Sequence, residues 1–168
     1  LKEFDKAGIS DIIIDLRDNP GGLLTEVADV SKHFIPKGPI VHISHKGEII
    51  ETYYSDNAKP KYNLAVLVNE NSASASEIFA GAVQDTRAGT IIGVTTYGKG
   101  TVQRILPLSN GDGLKLTIAE YLTPNKRNIN GKGVVPDIMV EANSETSAKA
   151  NSSAAKDTQL EKAIELFK

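Results

Sequence analysis

Two short segments of the chain carry side chains that could perform covalent chemistry. Residues 71–77 read N-S-A-S-A-S-E and place Ser74 where a strand gives way to a helix. Residues 97–101 read Y-G-K-G-T and place Lys99 between two glycines. A serine hydroxyl becomes a nucleophile when a base takes its proton, and a lysine can be that base when its surroundings keep it neutral. The pair therefore indicates nucleophilic attack on a carbonyl group.

A helix cap is the simpler role for Ser74. Ser74 followed three residues later by Glu77 fits the capping box, in which the two side chains satisfy backbone N–H groups at the start of a helix. On this motif alone, capping is the more common explanation. The two roles are compatible, because N–H groups in the first turn of a helix, with that of Ala75 nearest, can also bind the oxyanion of a tetrahedral intermediate.

Lys99 has a nucleotide-binding alternative, which its surroundings contradict. Residues 93–99 fit the phosphate-loop pattern G-x-x-x-x-G-K, which next requires a serine or threonine for magnesium and the start of a helix. Gly100 occupies that place, and residues 101–107 are β-like and end in proline. In the role of a base, Lys99 has Gln103 four residues on, whose amide could orient the amine without protonating it.

The composition of the chain argues against several other classes of function. The 168 residues are 40% hydrophobic and 24% charged, as in an ordinary globular domain, and none of the apolar runs reaches the 18 or so residues of a membrane span. A net charge of −2 with interspersed signs does not favour nucleic acid as a partner. Cysteine is absent, and the three histidines lack metal-ligand spacing, so we expect neither a metal nor a cofactor. No histidine follows Ser74, which weakens a Ser–His–Asp triad without removing it.

The periodicity of apolar residues predicts two strand–turn–helix units, and hence an α/β fold. The expected strands are 9–16, 40–43, 48–54, 64–68, 90–95, 101–108 and 114–118, the last of them half-buried because it alternates strictly. The expected helices are a short first one closed by Gly8, 23–35, 75–85 closed by Gly89, and 159–168 capped by Asp157 or Thr158. Three parts result: a core over 1–142, a low-complexity linker over 143–156 and a closing helix over 157–168.

Several motifs together resemble those of the C-terminal processing peptidases, also called tail-specific proteases, which are serine endopeptidases with a Ser–Lys dyad. Residues 15–22 (D-L-R-D-N-P-G-G), 72–77 (S-A-S-A-S-E), 98–103 (G-K-G-T-V-Q) and 133–137 (G-V-V-P-D) follow the family's order, and Lys99 stands 25 positions after Ser74. Four ordered motifs are far more specific than any one of them.

The resemblance implies a role for each matching residue. Ser74 would be the nucleophile, Lys99 the general base and then the acid, and Gln103 would position Lys99. The N–H groups of Ala75 and Gly22 would form the oxyanion hole. The family sometimes counts an acidic position matching Asp85 with the active site, and for this residue a structural role is the more common expectation. The implied fold is the ClpP/crotonase-like one of repeated ββα units.

The resemblance also implies partners and a compartment. Substrates would be proteins or peptides recognised through their C-terminal segments, outside the cytoplasm, and a homo-oligomer is compatible with the family. Family members carry an upstream PDZ domain, and no such segment is visible here, so we expect a catalytic-core fragment of a longer protease whose activity in isolation is open. The alternative is a non-catalytic or acyl-CoA-binding crotonase-like domain in which Ser74 only caps its helix.

Overall fold

The computed structural model describes residues 1–143 and 156–168, which form four α-helices and eight β-strands. The helices are α1 (Lys2–Lys6), α2 (Leu24–Ser31), α3 (Ala75–Thr86) and α4 (Thr158–Glu165). The strands are β1 (Asp11–Asp15), β2 (Gly38–His45), β3 (Glu48–Ser55), β4 (Asn63–Val68), β5 (Thr90–Gly93), β6 (Thr101–Pro107), β7 (Gly113–Leu122) and β8 (Ile138–Met139). The predicted α/β class is confirmed. None of the helices in these ranges has the length and hydrophobicity that crossing a bilayer requires.

One sheet is parallel, with the order β1-β4-β5-β8. Its central strand β4 is buried from Leu64 to Val68, as its continuous apolar run predicts. Helices α2 and α3 lie on one face, and α4 covers the other through Ala163 and Phe167. Because neighbouring strands β1 and β4 are parallel, the turns that follow them lie at the same edge of the sheet. That edge carries both the turn after β1 that contains Gly21 and Gly22 (the glycine turn) and the turn after β4 that contains Ser74 (the serine turn).

The second sheet is antiparallel, with the order β3-β2-β7-β6. The predicted hairpin β2–β3 is confirmed, and both turn residues, Lys46 (φ 52°) and Gly47 (φ 86°), have the positive φ that a tight hairpin turn needs. The main core lies between this sheet, helices α2 and α3, and the parallel sheet; at its centre Phe34 meets Phe79 edge to face, with ring centroids 5.8 Å apart.

The prediction that residues 114–118 are half-buried is wrong. Leu114, Leu116 and Ile118 are all exposed, between 39% and 44%. Strand β2 pairs with β7 only at residues 120–122, so the rest of β7 has β6 as its only partner strand in the described sheets. Alternation predicted the extended conformation correctly, but no second layer covers this hairpin.

The predicted end of helix α3 is also wrong. Gly89 does not close α3, because Arg87 takes the left-handed position (φ 56°) at the C-cap. Gly89 instead lies where the chain passes Leu64, whose carbonyl oxygen leaves no room for a Cβ at this position. Asp157 caps α4 as predicted, and its Oδ1 accepts the N–H of Leu160 at 3.0 Å. Most of the predicted linker, residues 144–155, lies outside the described residues.

Candidate active site

Ser74 stands in the turn between β4 and α3, as the N-cap residue of that helix. Its backbone angles, φ 57° and ψ −115°, lie in a region that residues with a side chain rarely adopt. Such a conformation ordinarily costs about 1–3 kcal/mol and persists only where the surroundings impose it. The half-buried side chain is therefore held on a sharp strand-to-helix turn, as a nucleophile elbow holds its serine.

The glycine turn after β1 packs directly against the serine turn. A Cβ on Gly21, which has φ 97°, would lie 2.7 Å from the nitrogen of Ala75 and 3.0 Å from Cβ of Ser74. Asn19 joins the two turns, since its carbonyl oxygen accepts the N–H of Ala73 at 3.1 Å and the hydroxyl of Ser76 at 3.0 Å. Only glycine fits at position 21, which explains why the motif D-L-R-D-N-P-G-G has a glycine there.

Two backbone N–H groups beside Ser74 are available for a ligand. Gly21 donates its N–H to Oδ1 of Asn19 at 2.9 Å, so that donor is already used. Within residues 1–143 and 156–168, the N–H groups of Gly22 and Ala75 form no hydrogen bond. Of the two glycines in this turn, Gly22 is the one whose N–H group is free to bind a ligand. This agrees with its predicted role in an oxyanion hole, which stays a prediction.

Lys99 lies in a loop pressed against the turn at residues 130–133. Cβ atoms on Gly98 or Gly100 would lie 3.0 Å from the nitrogen of Gly133 and 2.6 Å from that of Asn130, respectively. The N–H of Gly100 also donates to Oδ1 of Asn130 at 3.2 Å. The glycines on both sides of Lys99 are therefore required by close packing, and phosphate binding is not needed to explain them.

A single buried carboxylate holds the two candidate segments together. Glu77 is fully buried. Its carboxylate oxygens accept the backbone N–H groups of both candidate residues, Ser74 at 2.9 Å and Lys99 at 2.8 Å. They also accept the N–H of Gly98 at 2.7 Å and the hydroxyl of Thr96 at 2.5 Å. Charge-assisted hydrogen bonds of this kind are among the strong ones. Ser74 and Lys99 are thus anchored through their backbones to the same side chain.

The sequence indicated only part of this role of Glu77. The predicted capping contact from Glu77 to the N–H of Ser74 is present. The contacts to Gly98 and Lys99 span 21 and 22 residues and have no local signal in the sequence. Their only trace is a glutamate in a turn motif that also fits an ordinary helix start.

Lys99 is half-buried, and its side chain forms no ion pair with a carboxylate of the described ranges. Gln103 lies on β6, just past a bulge between Val102 and Gln103, and is exposed. Its side chain forms no hydrogen bond with the described residues. The positioning of Lys99 by Gln103 therefore stays a prediction.

Asp85 lies away from this site. It lies eleven positions after Ser74 along α3, about 16 Å of axial rise at 1.5 Å per residue. Its side chain forms an ion pair with Arg127 and accepts the N–H of Asn125 at 2.8 Å. These contacts fasten α3 to the loop after β7, which supports the structural role that was expected of Asp85.

Arg17 links the glycine turn to the start of helix α4. Its guanidinium group pairs with Asp15 at 2.7 Å and with Asp157 at 2.8 Å, and it donates to Oε1 of Gln159 at 3.1 Å. The paired cation lowers the pKa of the Asp157 carboxyl. Arginine in the D-L-R motif thus ties the turn to the start of α4, across 140 residues of sequence.

An apolar cleft of about 230 Å³ opens beside the two free N–H groups. Gly22 and Ala75 lie at its wall, and its apolar lining includes Ile14, Leu16, Leu23, Val27, Val30 and Phe79. Of its lining residues only Glu26 carries a charge. The cleft can accept an apolar side chain whose carbonyl group lies at the N–H pair.

Known proteins are similar to this chain in sequence and in fold. The sequence model of peptidase family S41 matches residues 1–140. The carboxyl-terminal-processing protease of Synechocystis sp. is 38% identical over 168 residues, which cover 99% of this chain and 39% of that protein. The carboxy-terminal processing protease CtpB of Bacillus subtilis is 39% identical over 143 residues, which cover 84% and 30% respectively. The structure of the photosystem II D1 C-terminal processing protease superposes with a TM-score of 0.77 at 38% identity, over 83% of this chain and 36% of that one. The chain thus spans less than two-fifths of each of these proteins.

Proposed function

Because the chain belongs to peptidase family S41, we propose that it carries the catalytic residues of a serine endopeptidase that cleaves proteins at or near their C-termini. The observation that carries the proposal is the shared anchoring of Ser74 and Lys99 on Glu77, beside two free N–H groups. The names of the similar proteases support the same substrate class. We further propose that the fold is the ClpP/crotonase-like one, which the two strand–turn–helix units support.

The proposed reaction uses only groups of the chain. Lys99 in its neutral form takes the proton of the Ser74 hydroxyl while Oγ attacks the scissile carbonyl. The oxyanion accepts hydrogen bonds from the N–H groups of Ala75 and Gly22, which the N-terminal end of α3 strengthens. The Lys99 ammonium then protonates the leaving amine, and water hydrolyses the acyl ester by the same steps. No metal or cofactor takes part.

In the part of the chain that the structure describes, the Lys99 side chain forms no ion pair with a carboxylate, which is compatible with its proposed role as the base. Such an ion pair would stabilise the protonated amine. Gln103 would orient the Lys99 amine through its side-chain amide when substrate or another part of the full-length protein covers β6.

A fluorophosphonate probe tests this function against the acyl-CoA-binding alternative. In the full-length protein we expect stoichiometric labelling of Ser74, located by peptide mass spectrometry, and no binding of acetyl-CoA at millimolar concentration. The same N–H pair beside an apolar cleft would suit a thioester, so tight acyl-CoA binding without labelling of Ser74 would contradict the proposal and favour the alternative. Lys99→Met should slow labelling, while the exposed-residue variant Lys115→Met should not.

The cleft predicts the side chain on the acyl side of the cleaved bond. Because Val27 lines the cleft, Val27→Phe should fill part of it and lower kcat/KM for a substrate with leucine at that position by about 10–100-fold. The loss for alanine at the same position should stay within about threefold, since a small side chain needs less of the cleft. Peptide pairs that differ only at this residue provide the measurement.

Thr25→Val is the matched control, because Thr25 is an exposed residue of α2 that does not line the cleft. Equal losses for both peptides in Val27→Phe would show that the cleft does not bind this side chain.

Partners and compartment are extensions of the same proposal. In the full-length protein a PDZ domain would deliver substrate C-termini to the cleft, the protein would act outside the cytoplasm, and it would be free to form a homo-oligomer. These points rest on the family resemblance. Nucleic acid is not among the proposed partners, in keeping with the net charge of −2.

A further inference from the structure

Tyr97 is a large exposed side chain beside the candidate site that the proposed mechanism does not use. Its side chain is 68% exposed, as is that of Leu23, which lines the apolar cleft. Single exposed apolar side chains are common on protein surfaces, so exposure alone assigns no function to Tyr97. What distinguishes Tyr97 is its place two residues before Lys99, in the loop that carries the candidate base.

Hydrogen bonds hold the backbone around Tyr97 in place. The N–H of Tyr97 donates to the carbonyl oxygen of Ser72 in the serine turn at 3.1 Å. On either side of Tyr97, the hydroxyl of Thr96 and the N–H of Gly98 donate to Oε1 of Glu77, at 2.5 and 2.7 Å. The exposed ring therefore projects from a fixed backbone, and a ligand that covers it need not order the loop first.

The position of Tyr97 relates it to the leaving group of a substrate. In the proposed reaction Lys99 protonates the leaving amine, so the nitrogen of the scissile bond lies within hydrogen-bond reach of Nζ. The Cα atoms of Tyr97 and Lys99 are at most about 7 Å apart, because each residue of chain spans no more than about 3.6 Å. The residues that line the apolar cleft belong to β1, the glycine turn, α2 and α3, and Tyr97 is not among them.

We propose that Tyr97 is a specificity-determining residue, whose ring binds an apolar side chain among the first two residues of the released C-terminal fragment. Successive residues of an extended peptide lie about 3.3–3.6 Å apart, so these two pass close to the loop that carries Lys99. An aromatic ring offers an apolar side chain a large contact surface and has only two torsions to immobilise. The inference rests on the proposed function and adds to it a preference on the leaving side of the bond.

Partitioning of the acyl-enzyme in the full-length protein tests this inference. The acyl-enzyme formed from a peptide ester reacts either with water or with an added amine, which occupies the place of the leaving fragment. In the second case the amine nitrogen bonds to the acyl carbon, the ester bond to Oγ of Ser74 breaks, and the proton lost by the amine returns to Oγ through Lys99. Liquid chromatography measures the ratio of the amide product to the acid product.

We expect the parent protein to transfer the acyl group to leucyl-leucine amide at least about 10-fold more efficiently than to glycyl-glycine amide. In Tyr97→Ala this preference should fall to within about threefold, because the ring that contacts the leucine side chains is missing. Hydrolysis by water in the same reaction serves as the internal reference, so a general change in the rate of the variant does not alter the comparison.

Two further variants separate the ring from other causes. Tyr97→Phe keeps the ring and should retain the leucine preference within about twofold of the parent value. Tyr54→Ala removes another exposed tyrosine (61% exposed) from β3, the edge strand opposite β6, and should also retain the preference within about twofold. The thermal midpoint of each variant is measured alongside, and all reactions are run well below it.

An unchanged leucine preference in Tyr97→Ala, or a parent protein without this preference, would overturn the inference. Equal loss of transfer to both amides would also overturn it, because it indicates that the ring shapes the Lys99 loop and does not bind the leaving fragment. Ser74→Ala separates these failures from failure of the proposed function. If Ser74→Ala forms no acyl-enzyme while the preference is independent of Tyr97, only this inference fails, whereas normal peptide cleavage by Ser74→Ala overturns the peptidase itself.

Discussion

Ser74→Ala and Lys99→Met in the full-length protein are each expected to lower kcat/KM for peptide cleavage by at least about 10³-fold. The first removes the attacking oxygen, and the second removes the base while keeping a side chain of similar length and apolar stem. Both residues act in one step, so the double variant should be no slower than either single variant. Cleavage of a fluorogenic peptide with an apolar residue on the acyl side of its scissile bond measures these losses.

Ser10→Ala and Lys115→Met are the controls, because both residues are exposed and lie outside the site. Each should keep kcat/KM within about twofold, as surface substitutions usually do. Normal turnover in Ser74→Ala or in Lys99→Met would rule out the dyad. Losses that add up fully in the double variant would instead indicate two independent roles.

Glu77→Gln is expected to lower both stability and activity. The carboxylate accepts four hydrogen bonds in a fully buried position, and an amide would turn an NH₂ group towards some of those donors. Buried donors left without partners cost about 1–3 kcal/mol each, so we expect the free energy of unfolding to fall by about 2–4 kcal/mol. For a domain of this size that corresponds to a thermal midpoint lower by about 5–15 °C.

The kinetic effect of Glu77→Gln separates the anchor from a simple stability role. Because the backbones of Ser74 and Lys99 would no longer share one acceptor, kcat should fall by about 10²-fold at temperatures where the variant is fully folded. Glu48→Gln makes the same chemical change at an exposed hairpin residue and should alter neither quantity measurably. A stable, fully active Glu77→Gln would show that the anchor is dispensable.

Local patterns in the sequence predicted most of the elements correctly. Continuous apolar residues predicted β4, Lys46 and Gly47 predicted the turn between β2 and β3, and Asp157 predicted the start of α4. These signals depend on neighbouring residues, whose propensities and turn chemistry act over a few positions. The burial of β7 could not be predicted in this way, because alternation is the same whether or not a second layer covers the strand.

The candidate site was likewise predictable from the sequence only in part. The sequence by itself determined which residues could react, since Ser74, Lys99 and the glycine turn are visible as residue types in ordered motifs, and Gly100 removed the phosphate alternative. Only the tertiary structure decided what holds them together: Glu77 contacts Gly98 and Lys99, more than 20 residues away, and Asn19 joins turns that follow different strands. Contacts of that range depend on the packing of parallel strands and of two sheets, which no local pattern of residues encodes.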